Sequence, residues 1–152
     1  METTIQMKTM NAMQKEAERL RKEFESYIED LELFAKPDFW KALNEKSSKP
    51  YKNLNEYAKK MGVWMRTHST RPRFDDQFKK LDQSIQKMIL KRMQKIIEKP
   101  ELGKPLPAPL NNHFSARIDK YRIIYFYDNE NVTFMYLDHR DKVFRSPLEF
   151  GH

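Results

Sequence analysis

The chain has no cysteine in 152 residues, no long apolar run, no internal repeat and no low-complexity stretch. Lack of cysteine excludes disulfides, thiolate metal sites and a cysteine nucleophile, a usage that suits a reducing cytoplasm. The longest apolar runs are a few residues, far short of a membrane span, and the N-terminus has no signal-peptide apolar core, so a soluble cytoplasmic protein with no membrane partner is expected. His, Asp and Glu form no compact cluster along the chain, and no metal or cofactor is expected. What remains is a length that accommodates one ordinary domain, or a small domain with an appended arm.

Charge is plentiful and unevenly placed. The 29 Lys and Arg against 22 Asp and Glu give a net +7. Residues 16–32 carry a local −4, whereas residues 71–152 carry +5. An acidic arm before a basic body either covers that body or is a solvated helix that happens to be acidic.

Hydrophobic spacing divides the chain near residue 62, giving a helical arm over 1–62 and an α+β body over 63–152. Met13, Ala17, Leu20, Phe24, Tyr27, Ile28 and Leu31 recur at three- and four-residue steps and predict an amphipathic helix over about 9–33. Pro37 opens a short helix, and 53–62 reads as a third, with Asn53 as cap and Gly62 as stop. Trp40 and Trp64 are expected in the core or between arm and body. Residues 63–69 alternate as a strand. Phe74 to Ile97 return to helical spacing and predict a hairpin over 74–98, with Asp82 and Ser84 as caps and its end before Pro100. "KPELGKPLPAPLNN" is a proline-rich connector. Strands are expected at 113–118, 121–128 and 131–138, with a tight turn at "DNEN" and a fourth short strand at 142–145. The expected architecture is an antiparallel meander of about four strands packed on the helical hairpin, with its other face open.

In "HFSARIDKYRIIYFYDNENVTFMYLDHRDKVF" basic residues interrupt the meander at Arg117, Arg122 and Arg140, and imidazoles flank it at His113 and His139. On an open sheet face these would form a basic patch with Lys120 at its edge. Such a patch suits a phosphodiester, because guanidinium offers a planar fork and keeps its proton. The plainer alternative is that Arg117 and Arg122 pair with Asp119 or Glu130, that His139-Arg140 is loop polarity, that His113 marks a turn, and that the tyrosines are cross-strand packing.

The order of helical hairpin, proline-bearing connector, spaced basic residues, Tyr121-Arg122, apolar strand, His139-Arg140 and Phe144 resembles the RelE/ParE toxin superfamily over roughly residues 64–145. The N-terminal helices more loosely resemble a RelB-type antitoxin. The resemblance implies a RelE-like fold and a metal-independent endoribonuclease acting on mRNA at the ribosome by attack of a 2′-hydroxyl on the adjacent phosphate. It assigns Arg122 and Arg140 to the phosphate, His139 or His113 to proton transfer, and Arg117 and Lys120 to RNA binding. Imidazoles titrating near 6.5 suit proton exchange at neutrality. Two residues depart from the pattern: Ser115 stands where a basic residue is common, and Phe144 replaces a tyrosine that moves a proton in the best-known RelE ribonucleases. Either a histidine does that work, or the protein acts by binding an antitoxin or RNA, or by ParE-like contact with gyrase. The implied partners are mRNA and an antitoxin, or the chain's own arm in its place, and a homodimer that swaps arms fits as well as a monomer.

Overall fold

The computed structural model describes residues 2–46 and 66–139. The helix expected at 53–62, the first residues of the strand expected from 63, Trp64, Arg140, Phe144 and the strand expected at 142–145 lie outside them. The chain forms two compact units. One is built on α1 (Glu2–Phe34); the other begins at Lys36 and holds every later described element. The division therefore falls at Lys36 rather than near 62, because the short helix α2 (Pro37–Leu43) belongs with the sheet.

α1 is one uninterrupted helix, longer than its apolar periodicity requires. Arg19 bridges Glu16 and Glu23, and Arg21 reaches Glu18 and Glu25, all at one-turn spacing on an exposed surface. Met13, Leu20, Phe24, Tyr27 and Leu31 of its stripe are exposed. Among the described residues no helix is long and apolar enough to cross a membrane.

The second unit is an α+β sandwich. β1 (Thr67–Thr70) precedes α3 (Pro72–Lys79) and α4 (Gln83–Glu98), and the connector forms a 3₁₀ turn and the two-residue β2 (Lys104–Pro105). β3 (Phe114–Ile118), β4 (Tyr121–Tyr127) and β5 (Asn131–His139) form the expected meander. The sheet is mixed, in the order β1-β5-β4-β3-β2, with β1 parallel to β5. The meander is antiparallel as expected, and the strand before the hairpin, whose partner alternation alone does not reveal, joins it in parallel.

Local chemistry explains the turns. The Asp82 side chain accepts from Ile85 N–H at 3.0 Å and starts α4. Between β3 and β4 the two-residue turn places Asp119 at φ 53, a left-handed conformation that Asp tolerates. Between β4 and β5, Asp128 Oδ1 accepts from the N–H groups of Glu130 and Asn131, each at 2.8 Å.

Hairpin and sheet bury Phe74, Ile89, Met93, Ile96 and Ile97 against Ala116, Tyr121, Ile123, Tyr125, Val132, Phe134 and Leu137. The opposite face, expected to be open, is covered in part by α2. Phe39 is fully buried and meets Tyr136 edge-on at 5.7 Å, which is worth about 1.5–3 kcal/mol of burial. α2 therefore buries Phe39, with Ala42, and Trp40 is 44% exposed.

His68 in β1 is buried on the hairpin side beside Phe134. Burial pushes its imidazole down to about 4. An unfolded chain takes up that proton near pH 6.5, so the stability that the neutral ring contributes is complete above about pH 6.5 and lost as pH falls toward about 4. Unfolding followed across that window should show the wild type losing about 2–3 kcal/mol more than His68→Gln; parallel curves would show that burial does not hold the ring neutral.

Candidate functional site

Register decides which side chains share a face. Down most of the β4–β5 ladder the pairing is regular, from Tyr127↔Val132 to Tyr125↔Phe134, but the next pair is Ile124↔Tyr136. Met135 is thus an extra residue, a β-bulge, and it exchanges the faces of everything after it on β5. Beyond it Arg122 stands opposite Asp138, and Tyr121 opposite His139.

Arg122 is 5% exposed and turned onto Asp138, itself 3% exposed. Its Nε and Nη2 both lie 3.3 Å from Asp138 Oδ2. The other carboxylate oxygen accepts from Lys36 Nζ at the head of α2, and Lys36 also reaches the His139 carbonyl at 3.4 Å. One buried carboxylate thus serves two cations. The expectation that Arg122 faces an open surface is corrected: its partner is Asp138, not Asp119 or Glu130.

The imidazoles do not join it. His139 is exposed and stacks on Tyr121, with centroids 4.5 Å apart and planes at 18°. Tyr121 belongs to the hairpin-side core, so His139 lies on the sheet side away from Arg122. His113 shares Arg122's side of the sheet but lies beside Phe126, at 5.3 Å, four residues further along β4. Its Nδ1 is 2.8 Å from Asn112 Oδ1, and burial together with the Arg71 charge holds its pKa below the ordinary value. Arg117 is the register partner of Arg122 and is exposed, as is Lys120 in the turn between them. Hence Arg117 and Arg122 are register partners with Lys120 in the turn between their strands, while His113 and His139 are not brought to Arg122. Arg140 lies outside the described residues.

Two residues that organise this face were not anticipated. Asp138 falls at the end of the strand expected at 131–138; without the bulge its position would pair with Tyr121 on the core side. Arg71 donates through Nη1 to the Ala42 and Leu43 carbonyls at 2.7 and 2.8 Å, closing the C-terminus of α2, while its guanidinium lies 5.2 Å from the Phe126 ring. The available signal was Pro72, which holds the preceding residue extended; the carbonyls Arg71 meets lie 28 and 29 positions earlier.

The class of protein to which this α+β unit belongs follows from its likeness to known toxins. Residues 69–144 match the profile of the family described as ParE toxin of type II toxin-antitoxin system, parDE. A Methanocaldococcus jannaschii protein named "Putative toxin RelE4" is 35% identical over 74 residues, 47% of this chain and 79% of that one. An uncharacterized Methanosarcina mazei protein is 34% identical over 80 residues, 49% of this chain and 93% of that one. The solved toxin-antitoxin complex RelBE2 from Mycobacterium tuberculosis contains a chain 27% identical to this one, with a TM-score of 0.46, aligned over 51% of this chain and all of that one. The chain belongs to the ParE toxin family, within the RelE/ParE superfamily, and is a toxin of a toxin–antitoxin system.

Removing the shared carboxylate would leave Arg122 charged and buried without its counter-ion. Asp138→Ala should lose about 3–5 kcal/mol in denaturant unfolding, and Arg122→Met with Asp138→Leu should recover most of it. A loss below about 1 kcal/mol for Asp138→Ala would mean the pair is solvated rather than buried.

Proposed function

We propose that this toxin acts by binding a macromolecular target without cutting RNA, and that α2 restrains it in cis. The observation that carries the reading is the separation of the groups RNA cleavage would use. Arg122 is held by Asp138 under Lys36, His139 is on the other side of the sheet, and His113 is four residues away along β4. General acid–base catalysis needs a proton carrier within hydrogen-bond reach of the reacting oxygens, and the described residues bring none to Arg122. The family's ParE name favours a protein target such as gyrase, and its pairing with antitoxins implies an antitoxin partner for this chain. α2, anchored by Phe39, Lys36 and Arg71, stands over the same face of the sheet as Arg122.

A second reading, endoribonuclease action on ribosome-bound mRNA, is favoured by Arg117 and Arg122 being register partners with Lys120 in the turn between them. It requires Asp138 to release Arg122.

The discriminating experiment induces the full chain and a Phe39→Asp variant, maps mRNA 5′ ends, and assays supercoiling by gyrase with the purified proteins. The expected result is no new RNA ends with either protein, and stronger gyrase inhibition by the variant. New RNA ends that disappear in Arg122→Ala would replace this reading with the nuclease. Equal inhibition by both proteins would remove restraint by α2.

A further inference from the structure

The apolar residues of α1 are spaced more strictly than an ordinary surface helix requires. From Met10 to Phe34 they follow one another at alternating steps of three and four without a break (10, 13, 17, 20, 24, 27, 31 and 34). That is a 3.5-residue period held for about three and a half heptads. A helix that packs on a globular core carries a wider stripe, whereas a strict line of this period is the seam of a coiled coil. On that line Met10, Met13, Leu20, Tyr27 and Leu31 are 51–68% exposed, while Asp30 and Leu33, which the helix does bury, lie off it. We propose that α1 pairs in parallel with α1 of a second copy of this chain, forming a two-stranded coiled coil through this seam.

The charges that flank the seam select both the partner and its direction. In a parallel pair in register, the residue just before one seam position faces, across the interface, the residue five further along the other chain. Glu16 then faces Arg21 of the second copy, and by symmetry Arg21 faces its Glu16. The remaining contacts of this kind, Thr9 with Gln14, Glu23 with Ile28 and Asp30 with Ala35, hold at most one charge each. An antiparallel pair overlapping over the same length instead sets Glu16 against Asp30, Glu23 against Glu23 and Arg21 against Arg21, all of them like-charge contacts.

Forming the parallel contacts disturbs little within each helix. Arg21 reaches Glu18 and Glu25 only at 3.6 Å, and Glu16 is held by Arg19 on an exposed surface, where ion pairs are weak. A seam whose flanks complement themselves fits its own copy better than an unrelated surface. Because α1 leads directly to Lys36, where the second unit begins, a parallel coil carries two toxin units from the same end and makes the protein bivalent toward its target. The seam uses no residue of the sheet, so the proposal stands whether or not the toxin cuts RNA.

Sedimentation equilibrium of the full chain at concentrations up to about 100 μM tests the coil. The wild type should approach twice the chain mass at the top of that range, and Leu20→Glu, at an exposed seam position, should stay a monomer. Glu16→Arg and Arg21→Glu, both at exposed positions, should each weaken the dimer about tenfold. Mixing those two variants should restore association, because each supplies the charge that the other lacks. Tighter association of Glu16→Arg alone would indicate an antiparallel pair, in which position 16 meets Asp30, and would overturn the parallel arrangement. A wild type that stays monomeric would overturn the proposal and leave the stripe to a different protein or to the chain's own second unit. So would a dimer that Leu20→Glu leaves intact, since its contact would then lie on another surface.

Discussion

Asp138 is almost fully withdrawn from water, and a carboxylate so placed must have cations around it or give up its charge. Arg122 from the neighbouring strand and Lys36 from the head of α2 supply them. That requirement ties together parts of the chain about a hundred residues apart. Lys36 can reach the carboxylate only if α2 lies over the sheet, and Arg122 can reach it only if β5 carries its extra residue. Buried ion pairs seldom add much net stability over an apolar replacement of similar shape. What this one fixes is arrangement: which face of β5 Asp138 occupies, and where α2 begins.

The bulge at Met135 also marks the limit of what the sequence disclosed. The helical hairpin was legible because Phe74 to Ile97 hold their period and Asp82 caps α4; the meander was legible because Asp128 and Asn131 punctuate it. Along "NVTFMYLDH", however, residues 132–137 are nearly all apolar or small, so alternation cannot show where an extra residue enters. A regular ladder would have placed Leu137 opposite Arg122 and His139 on the same face, which is the convergence the basic residues suggested. One inserted residue reverses that placement and substitutes Asp138. The site was thus misread through a register change that costs the sequence no visible signal.

The position of α2 was hidden for a different reason. Seven residues carry too little periodicity to say which side is buried, and Trp40 was expected in the core or between arm and body. Packing selects Phe39, since Tyr136 meets its ring edge-on while Trp40 remains partly in water. The far end of α2 is then closed by Arg71, whose guanidinium satisfies two terminal carbonyls and still covers Phe126. With an ion pair at one end, an aromatic anchor in the middle and a guanidinium cap at the other, so short a helix keeps its place through tertiary contacts, which its intrinsic propensity could not secure.

The two sides of the sheet consequently differ in charge. On the α2 side the cations Lys36 and Arg122 share a carboxylate; on the hairpin side five cations surround a cavity with no acid in its lining. Arg117 is where they meet. It pairs in register with Arg122 yet lines the cavity, because β2 contacts β3 only at Phe114 and Ser115 and so, among the described residues, leaves this part of the strand's outer edge without a neighbouring strand. A long guanidinium at an unpaired edge can turn toward either side. The brevity of β2, two residues beside the Gly103 approach to Tyr125, therefore leaves Arg117 at the edge between the two sides of the sheet.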